Sequence, residues 1–262
     1  MGRWGHTATV LANGDVLLAG GRFGHSNTAD LRKAGSGAIQ PTGSMNSPRS
    51  YHSATLLQDG RVLLAGGATT NSVSTYKPMQ TAEVYDPATG RFASAGDMAT
   101  PRWAHSAVLL PNGRVLIVGG RAAGAELYDP ATNTFLPAPG VSANRCYTIA
   151  TLLSDGRVLI AGGSDCSNAI LDTAEIYDPL TGESTPTGNL VVAQSFSAAA
   201  LLPDGRVLLV SGSYSVVSQI YDPTTGSFTF GPHTVSPGSG QTATLLPDGS
   251  VLTIGDDVEI YK

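Results

Sequence analysis

Apolar residues along the chain fall into short runs, too short for helices and repeatedly interrupted by an Asn-Gly or Asp-Gly dipeptide. The second repeat shows the pattern best. HSATLL (52–57) is followed by Asp59-Gly60 and then by RVLLAGG (61–67). Asp-Gly between apolar runs is a strong hairpin signal, because a tight two-residue turn needs positive φ. TAEVYDP (81–87) then supplies a third strand that runs into Asp-Pro-x-Thr-Gly, a turn with proline at its second position and glycine where positive φ is wanted. RFASAGDM (91–98) supplies a fourth. No stretch combines 3.6-residue periodicity with caps, so the pattern predicts an all-β chain.

The unit recurs. Its hairpin dipeptides are Asn13-Gly14, Asp59-Gly60, Asn112-Gly113, Asp155-Gly156, Asp204-Gly205 and Asp248-Gly249, at spacings of 46, 53, 43, 49 and 44 residues. A diglycine closes the second strand of the first four units: Gly20-Gly21, Gly66-Gly67, Gly119-Gly120 and Gly162-Gly163. Such a pair marks a turn or the close approach of another segment. Four-strand units of this length predict one six-bladed β-propeller of four-stranded antiparallel blades over residues 1–262. The blades lie at about 3–48, 49–101, 102–144, 145–193, 194–237 and 238–262. The sixth unit is incomplete, which implies either a longer parent chain or a three-stranded blade whose open edge invites self-association.

Composition narrows the function classes. The 262 residues carry a formal charge of -5, which supplies no basic footprint for nucleic acid. A hydrophobic fraction of 41% is too high for a disordered chain, and no apolar run is long enough for membrane insertion as a helix. The N-terminal MGRWGHTATV lacks signal-peptide character.

From each third-strand tyrosine to the next hairpin glycine the spacing is constant: Tyr85 to Gly113, Tyr128 to Gly156, Tyr177 to Gly205 and Tyr221 to Gly249. Arg32 to Gly60 obeys it too. All length variation therefore falls in the loop between the second and third strands, on the blade end that also carries the blade-to-blade links. That end is the expected functional face.

At those links stand Arg3, Arg49, Arg102 and Arg145, with Gln194 and Gly238 in the last two units. Trp4, Tyr51, Trp103, Tyr147 and Phe196 lie beside them. Guanidinium forks beside aromatic rings suit anionic or sugar ligands. The competing reading pairs each arginine with Asp30, Glu83, Glu126 or Glu175 and makes it a tie within the scaffold. His6, His52 and His105 occupy equivalent positions, followed by Thr148, Ser197 and Gln241. They are weak candidates for a shared divalent metal and better ones for structural donors to a neighbouring diglycine backbone.

The Arg-x-x-His-Ser/Thr opening, the diglycine, Tyr-Asp-Pro and Gly-x-Met-x-x-x-Arg (96–102) together resemble kelch repeats. The likeness is to bacterial kelch-repeat proteins of the galactose oxidase-like (kelch/glyoxal oxidase) superfamily. In eukaryotic kelch adaptors, arginines at this link line a ligand-binding face. In the copper-radical oxidases, a propeller strand supplies an adjacent tyrosine and histidine, which Tyr51 and His52 match. Those enzymes also need a second tyrosine linked to a cysteine, and a histidine from a following domain. Tyr147 sits at a similar strand position, but Ser106 stands where the cysteine belongs.

Cys146 and Cys166 fall at the same end of neighbouring strands and are expected to form a disulfide. It would close a loop of about 20 residues and add about 3 kcal/mol. Free thiols and a metal or catalytic thiol remain alternatives. Such a bond points to an extracytoplasmic or secreted setting. Asp165, Asn168 and Asp172, and Asp256-Asp257, read as solvated acidic loops without cation-loop spacing. No phosphate loop or nucleophile elbow is present. The expected function is a non-catalytic module that binds a carbohydrate or protein ligand without a cofactor, with neither nucleic acid nor membrane as partner. An enzyme using the same face and a purely structural assembly module are the alternatives.

Overall fold

The computed structural model describes the chain except residues 1–2, 22–24, 71–75, 121–123, 142–144, 168, 196, 211–216, 234–241, 255–257 and 262. Every regular element among the described residues is a strand, and the strands group into six antiparallel blades. Blade one holds β1 (Thr7–Val10), β2 (Val16–Ala19), β3 (Ala29–Arg32) and β4 (Ile39–Pro41). Blade two holds β5 (Ser53–Leu56), β6 (Val62–Ala65), β7 (Ala68–Thr70), β8 (Tyr76–Asp86) and β9 (Arg91–Arg102). Blade three holds β10 (Ser106–Leu109), β11 (Val115–Val118), β12 (Ala125–Asp129) and β13 (Thr134–Ala138). Blade four holds β14 (Ile149–Leu152), β15 (Val158–Ala161), β16 (Ala174–Asp178) and β17 (Glu183–Pro186). Blade five holds β18 (Ala198–Leu201), β19 (Val207–Val210), β20 (Val217–Asp222) and β21 (Ser227–His233). Blade six holds three strands, β22 (Thr242–Leu245), β23 (Val251–Ile254) and β24 (Val258–Tyr261).

The sequence leads to this order through its turns. In blade two, Leu56 pairs with Val62 across the Asp59-Gly60 turn, where Gly60 has φ 85°. Strand β6 then pairs with β8, and β8 with β9. The short β7, not foreseen from the sequence, pairs with the extended start of β8 and makes this sheet five-stranded.

The chain forms two compact units, residues 1–137 and 138–262. In the first, β1, β5 and β10 lie side by side; in the second, β14, β18 and β22 do. The second strands of blades two to five are apolar and buried at every position because both of their faces are covered, the condition under which a strand loses its polar alternation. Val62 and Leu64 of β6 pack towards blade one with Leu17, Ala19 and Met45. Leu63 and Ala65 of the same strand pack towards blade three with Val115, Ile117 and Tyr128. In the second unit, Leu159 and Ala161 meet Val207, Leu209 and Tyr221 in the same way.

The diglycines are close-approach sites. A Cβ on Gly66 would lie 2.5 Å from the Arg102 carbonyl oxygen, and one on Gly67 2.7 Å from that of Ser50. Any side chain there would push the link between blades away from the second strand.

Candidate functional site

The links put the same arginine at the start of blades one to four. Arg49 is fully buried. Its Nη1 donates to the carbonyls of Gly66 (2.8 Å) and Thr81 (3.0 Å), and its Nη2 to Glu83 Oε1 at 2.7 Å. Glu83 also accepts from the backbone N–H of Asn46 at 2.7 Å, which ties blade two to blade one. Arg102 repeats the arrangement with Gly119 (2.9 Å), Gly124 (3.0 Å) and Glu126 (3.1 Å). Arg145 donates to Gly162 (2.9 Å) and Thr173 (3.1 Å), with Glu175 at 3.6 Å. Arg3 bonds Gly20 (2.9 Å) and pairs with Asp30. Burial lowers the pKa of Arg49, Arg102 and Arg145 below the ordinary guanidinium value, opposed by the adjacent carboxylates. This is the geometry of the tie within the scaffold.

Blade five shows the same tie without charge. Gln194 replaces the arginine and donates to the Val217 carbonyl, while Gln219 replaces the glutamate. Gln219 Oε1 accepts from Val191 (2.6 Å) and Val192 (3.1 Å), the role that Glu83 and Glu126 play. Cation and anion disappear together, as expected where an unpaired buried charge would be costly.

Two residues beyond each arginine the backbone is left-handed: Gly5 (φ 68°), Tyr51 (53°), Ala104 (52°) and Tyr147 (56°). A bulky residue there costs about 1–3 kcal/mol and persists only where its surroundings over-determine it. Part of the determination is visible in the first unit. Tyr51 N–H donates to the Gly5 carbonyl at 2.8 Å, and Ala104 N–H donates to the Tyr51 carbonyl at 3.0 Å, so successive links are strung together.

The aromatic rings enter from alternate positions. Trp4 and Trp103 directly follow their arginines, whereas Tyr51 and Tyr147 occupy the left-handed position itself. Tyr51 stands edge-on to Trp4 (centroids 6.5 Å, planes at 74°) and to Trp103 (5.7 Å, 70°). Trp4 is 58% exposed, Tyr51 half-buried and Trp103 buried, so this row ends in solvent at Trp4. The alternation was readable from the spacing to each arginine.

The histidines correct one expectation. His52 Nε2 lies 2.9 Å from Thr7 Oγ1, and His105 Nε2 lies 2.8 Å from Ser53 Oγ. Each therefore bonds the first-strand hydroxyl of the preceding blade rather than the diglycine backbone. The ring instead packs on the diglycine, as a Cβ on Gly20 would lie 2.8 Å from His52 Cε1. Burial pushes His52 well below the usual imidazole value, reinforced by Arg49, His105 and His6. Burial, with Arg102 adding, pushes His105 down to about 3. His6 is exposed. Among the described residues no three His, Cys, Asp or Glu side chains come together as a metal would require.

Cys146 and Cys166 form a disulfide with Cα atoms 5.3 Å apart. It fastens the link carrying Tyr147 to the loop after β15, where Cys146 and Ser164 also exchange backbone hydrogen bonds of 2.9 and 2.8 Å. Asp165 in that loop accepts from the N–H groups of Ser167 (2.7 Å) and Ala169 (3.0 Å), a local turn. Phe196, Gly238, Gln241, Asn168 and Asp256-Asp257 lie outside the described residues, as do parts of the variable loops.

These residues do not fit a copper-radical centre of the kind the sequence resemblance implies. Both cysteines are in the disulfide, Ser106 stands at the expected cysteine position, and His52 Nε2 is committed to Thr7. At the opposite blade ends lie two shallow clefts. One of about 550 Å³ is lined by Gln58, Asp59, Asn112 and Arg114, and one of about 370 Å³ by Ser154, Asp155, Asp204 and Arg206. Their equivalent places in the repeat make them features of the architecture.

No family model matches the chain. No curated protein matches it either. Among solved structures it is similar to a fungal alcohol oxidase, described as showing catalytic diversity among the AA5 family and solved in complex with copper. The TM-score is 0.62 at 16% identity, covering 97% of this chain and 71% of that one. At this identity the likeness shows a shared β-propeller fold.

Proposed function

We propose that the protein is a non-catalytic kelch-type binding module, working outside the cytoplasm, that holds an uncharged carbohydrate or protein ligand on its link face. The observation that carries this reading is Tyr51. It occupies a strained left-handed position that glycine fills in blade one, and its ring bridges Trp103 to the exposed Trp4. Strain held by a stiff hydrogen-bonded belt belongs to sites where geometry matters more than stability. Aromatic side chains with one wet end suit ligands that offer both apolar faces and hydroxyls. The arginines serve as the frame, since their guanidinium groups are spent on carbonyls and carboxylates. An uncharged ligand follows from that.

The test is tryptophan fluorescence during titration with neutral and acidic oligosaccharides and with candidate protein partners. A saturable change with a neutral ligand, reduced at least tenfold in affinity in Trp4→Ala at unchanged melting temperature, is expected. Binding restricted to acidic ligands and abolished by high salt would refute the reading.

A further inference from the structure

The fourth strand is the outer edge of its blade, and one position on it is guarded in every blade but the fifth. The same interval after each third-strand tyrosine, or after Arg32 in blade one, leads to Pro41, Ser94, Pro137, Pro186 and Phe230. The register sets Pro41 opposite Asp30, Ser94 opposite Glu83, Pro186 opposite Glu175 and Phe230 opposite Gln219, one and the same place in the ladder. One residue further on, Thr42 and Thr187 donate their N–H groups to the third-strand carbonyls of Ala29 and Ala174, both at 3.1 Å. Neighbouring residues of a strand send their backbone groups to opposite sides, so the guarded position turns its own N–H and C=O outward. Proline is tolerated there because the ladder asks no donor of it, and it denies that donor to any incoming strand. Blade two has Ser94 in place of proline, but its carbonyl accepts from Asn133 Nδ2 of blade three at 3.2 Å.

Blade five has neither device. Phe230 keeps an outward N–H and C=O that no side chain or loop among the described residues covers, and its ring is 63% exposed. Phe228, two residues earlier, has the same backbone direction, while its own ring is buried against Tyr221 with centroids 4.8 Å apart. Thr229 between them is exposed on the other face of the strand. Strand β21 carries no lysine, arginine, aspartate or glutamate, whereas β9 and β17 start at Arg91 and Glu183. An uncharged edge with free backbone groups and an exposed aromatic ring lacks the usual protection against strand pairing.

We infer that β21 is a dimerisation edge, pairing antiparallel with β21 of a second copy about a two-fold axis at Thr229. Phe228 of each copy then stands opposite Phe230 of the other, and each such pair exchanges both of its N–H···O=C bonds. The exposed Phe230 ring gains an aromatic neighbour across the strands, and the two Thr229 side chains meet at the axis. The partner is a second copy because the edge is its own complement. The axis brings the outward residues onto each other, and an uncharged strand sets no like charges opposite, which would repel. A contact that uses the same patch on both subunits closes at two copies. All of β18 to β21 lies inside the unit 138–262, and the inference is independent of the ligand proposed for the link face.

Sedimentation velocity from micromolar to hundreds of micromolar tests it with the full chain. Wild type is expected to pass from monomer to dimer with rising concentration and to go no further. Phe230→Pro installs the residue that three other blades carry at this place, so it is expected to keep the melting temperature of dilute wild type and to remain monomeric. Thr229→Lys and Thr229→Asp, which leave the backbone edge whole, are each expected to weaken self-association at least tenfold. Mixed one to one, they are expected to dimerise at least as tightly as wild type, since opposite charges then meet at the axis. This second pair of variants decides the matter if Phe230→Pro fails to fold. A wild type that is monomeric throughout overturns the proposal and leaves the edge to an extended segment of another protein. Dimerisation that survives in a folded Phe230→Pro also overturns it, as does failure of the two Thr229 variants to pair with each other.

Discussion

Arg49 Nη2 lies 2.7 Å from Glu83 Oε1 across 34 residues of chain, with both side chains almost wholly removed from water. The pair joins a link, a second strand and a third strand of one blade, and through Asn46 it reaches the blade before. Breaking one partner leaves a buried charge, which costs about 3–5 kcal/mol. Arg49→Ala or Glu83→Ala alone should therefore destabilise the protein by about that amount in urea melts. The double variant Arg49→Gln/Glu83→Gln should recover most of the loss, because Gln194 and Gln219 already fill these places in blade five. If each single change proves neutral, the pair is not structural.

Backbone handedness at the links gives a second prediction. Gly5 has φ 68°, and an added Cβ would lie 3.2 Å from Ser50 Cβ and 3.4 Å from the Tyr51 ring. Gly5→Ala should cost about 1–2 kcal/mol by thermal or urea denaturation. Tyr51→Gly, in contrast, relieves strain while deleting a ring, so it should change stability little and remove ligand binding. A large fall in stability on Tyr51→Gly would assign the ring to the core.

The two buried histidines set an acid limit. Their folded pKa values lie below the unfolded value near 6.5, so above that pH both states are neutral and no stability is lost. As pH falls below about 6.5, the unfolded chain takes up protons that the folded one refuses, and stability declines until the folded groups titrate, for His105 at about 3. His105 alone should remove about 2 kcal/mol by pH 5, and His52 acts in the same direction. Paired carboxylates such as Asp59 and Asp155, held below their ordinary value by Arg61 and Arg157, act lower, near and below pH 4. Chemical denaturation at pH 7 and pH 5 measures the slope, and His105→Gln should flatten it.

Reduction of Cys146–Cys166 should cost about 3 kcal/mol at most, by the loop-entropy argument. Hydrogen exchange should speed up first at Cys146 and Ser164, whose mutual backbone bonds the disulfide backs. Uniform loosening of blade four instead would show that the bond acts on the whole sheet.

Much of the fold was legible because it is written in short-range chemistry. The Asn-Gly and Asp-Gly turns, the Tyr-Asp-Pro turns and the cysteine spacing each specify local geometry, and repetition aligned them. The three strands of blade six were readable too. The direction of the arginines was not. A guanidinium beside an aromatic ring looks the same in a string of letters whether it points to water or to Glu83, and only burial decides. The histidine partners were missed because the hydroxyls of Thr7 and Ser53 lie about one repeat away and have no motif of their own. Strand β7 depends on its pairing with the start of β8, which local propensity does not state.

Calorimetric titration of one ligand into three chains tests the central claim most directly: wild type, Trp4→Ala, and Arg49→Gln/Glu83→Gln. If the aromatic row is the contact surface and the arginines are its frame, Trp4→Ala loses at least tenfold in affinity while the paired glutamine variant binds like wild type. Loss of binding in the glutamine variant with Trp4→Ala unaffected would place recognition on the arginines and contradict the account.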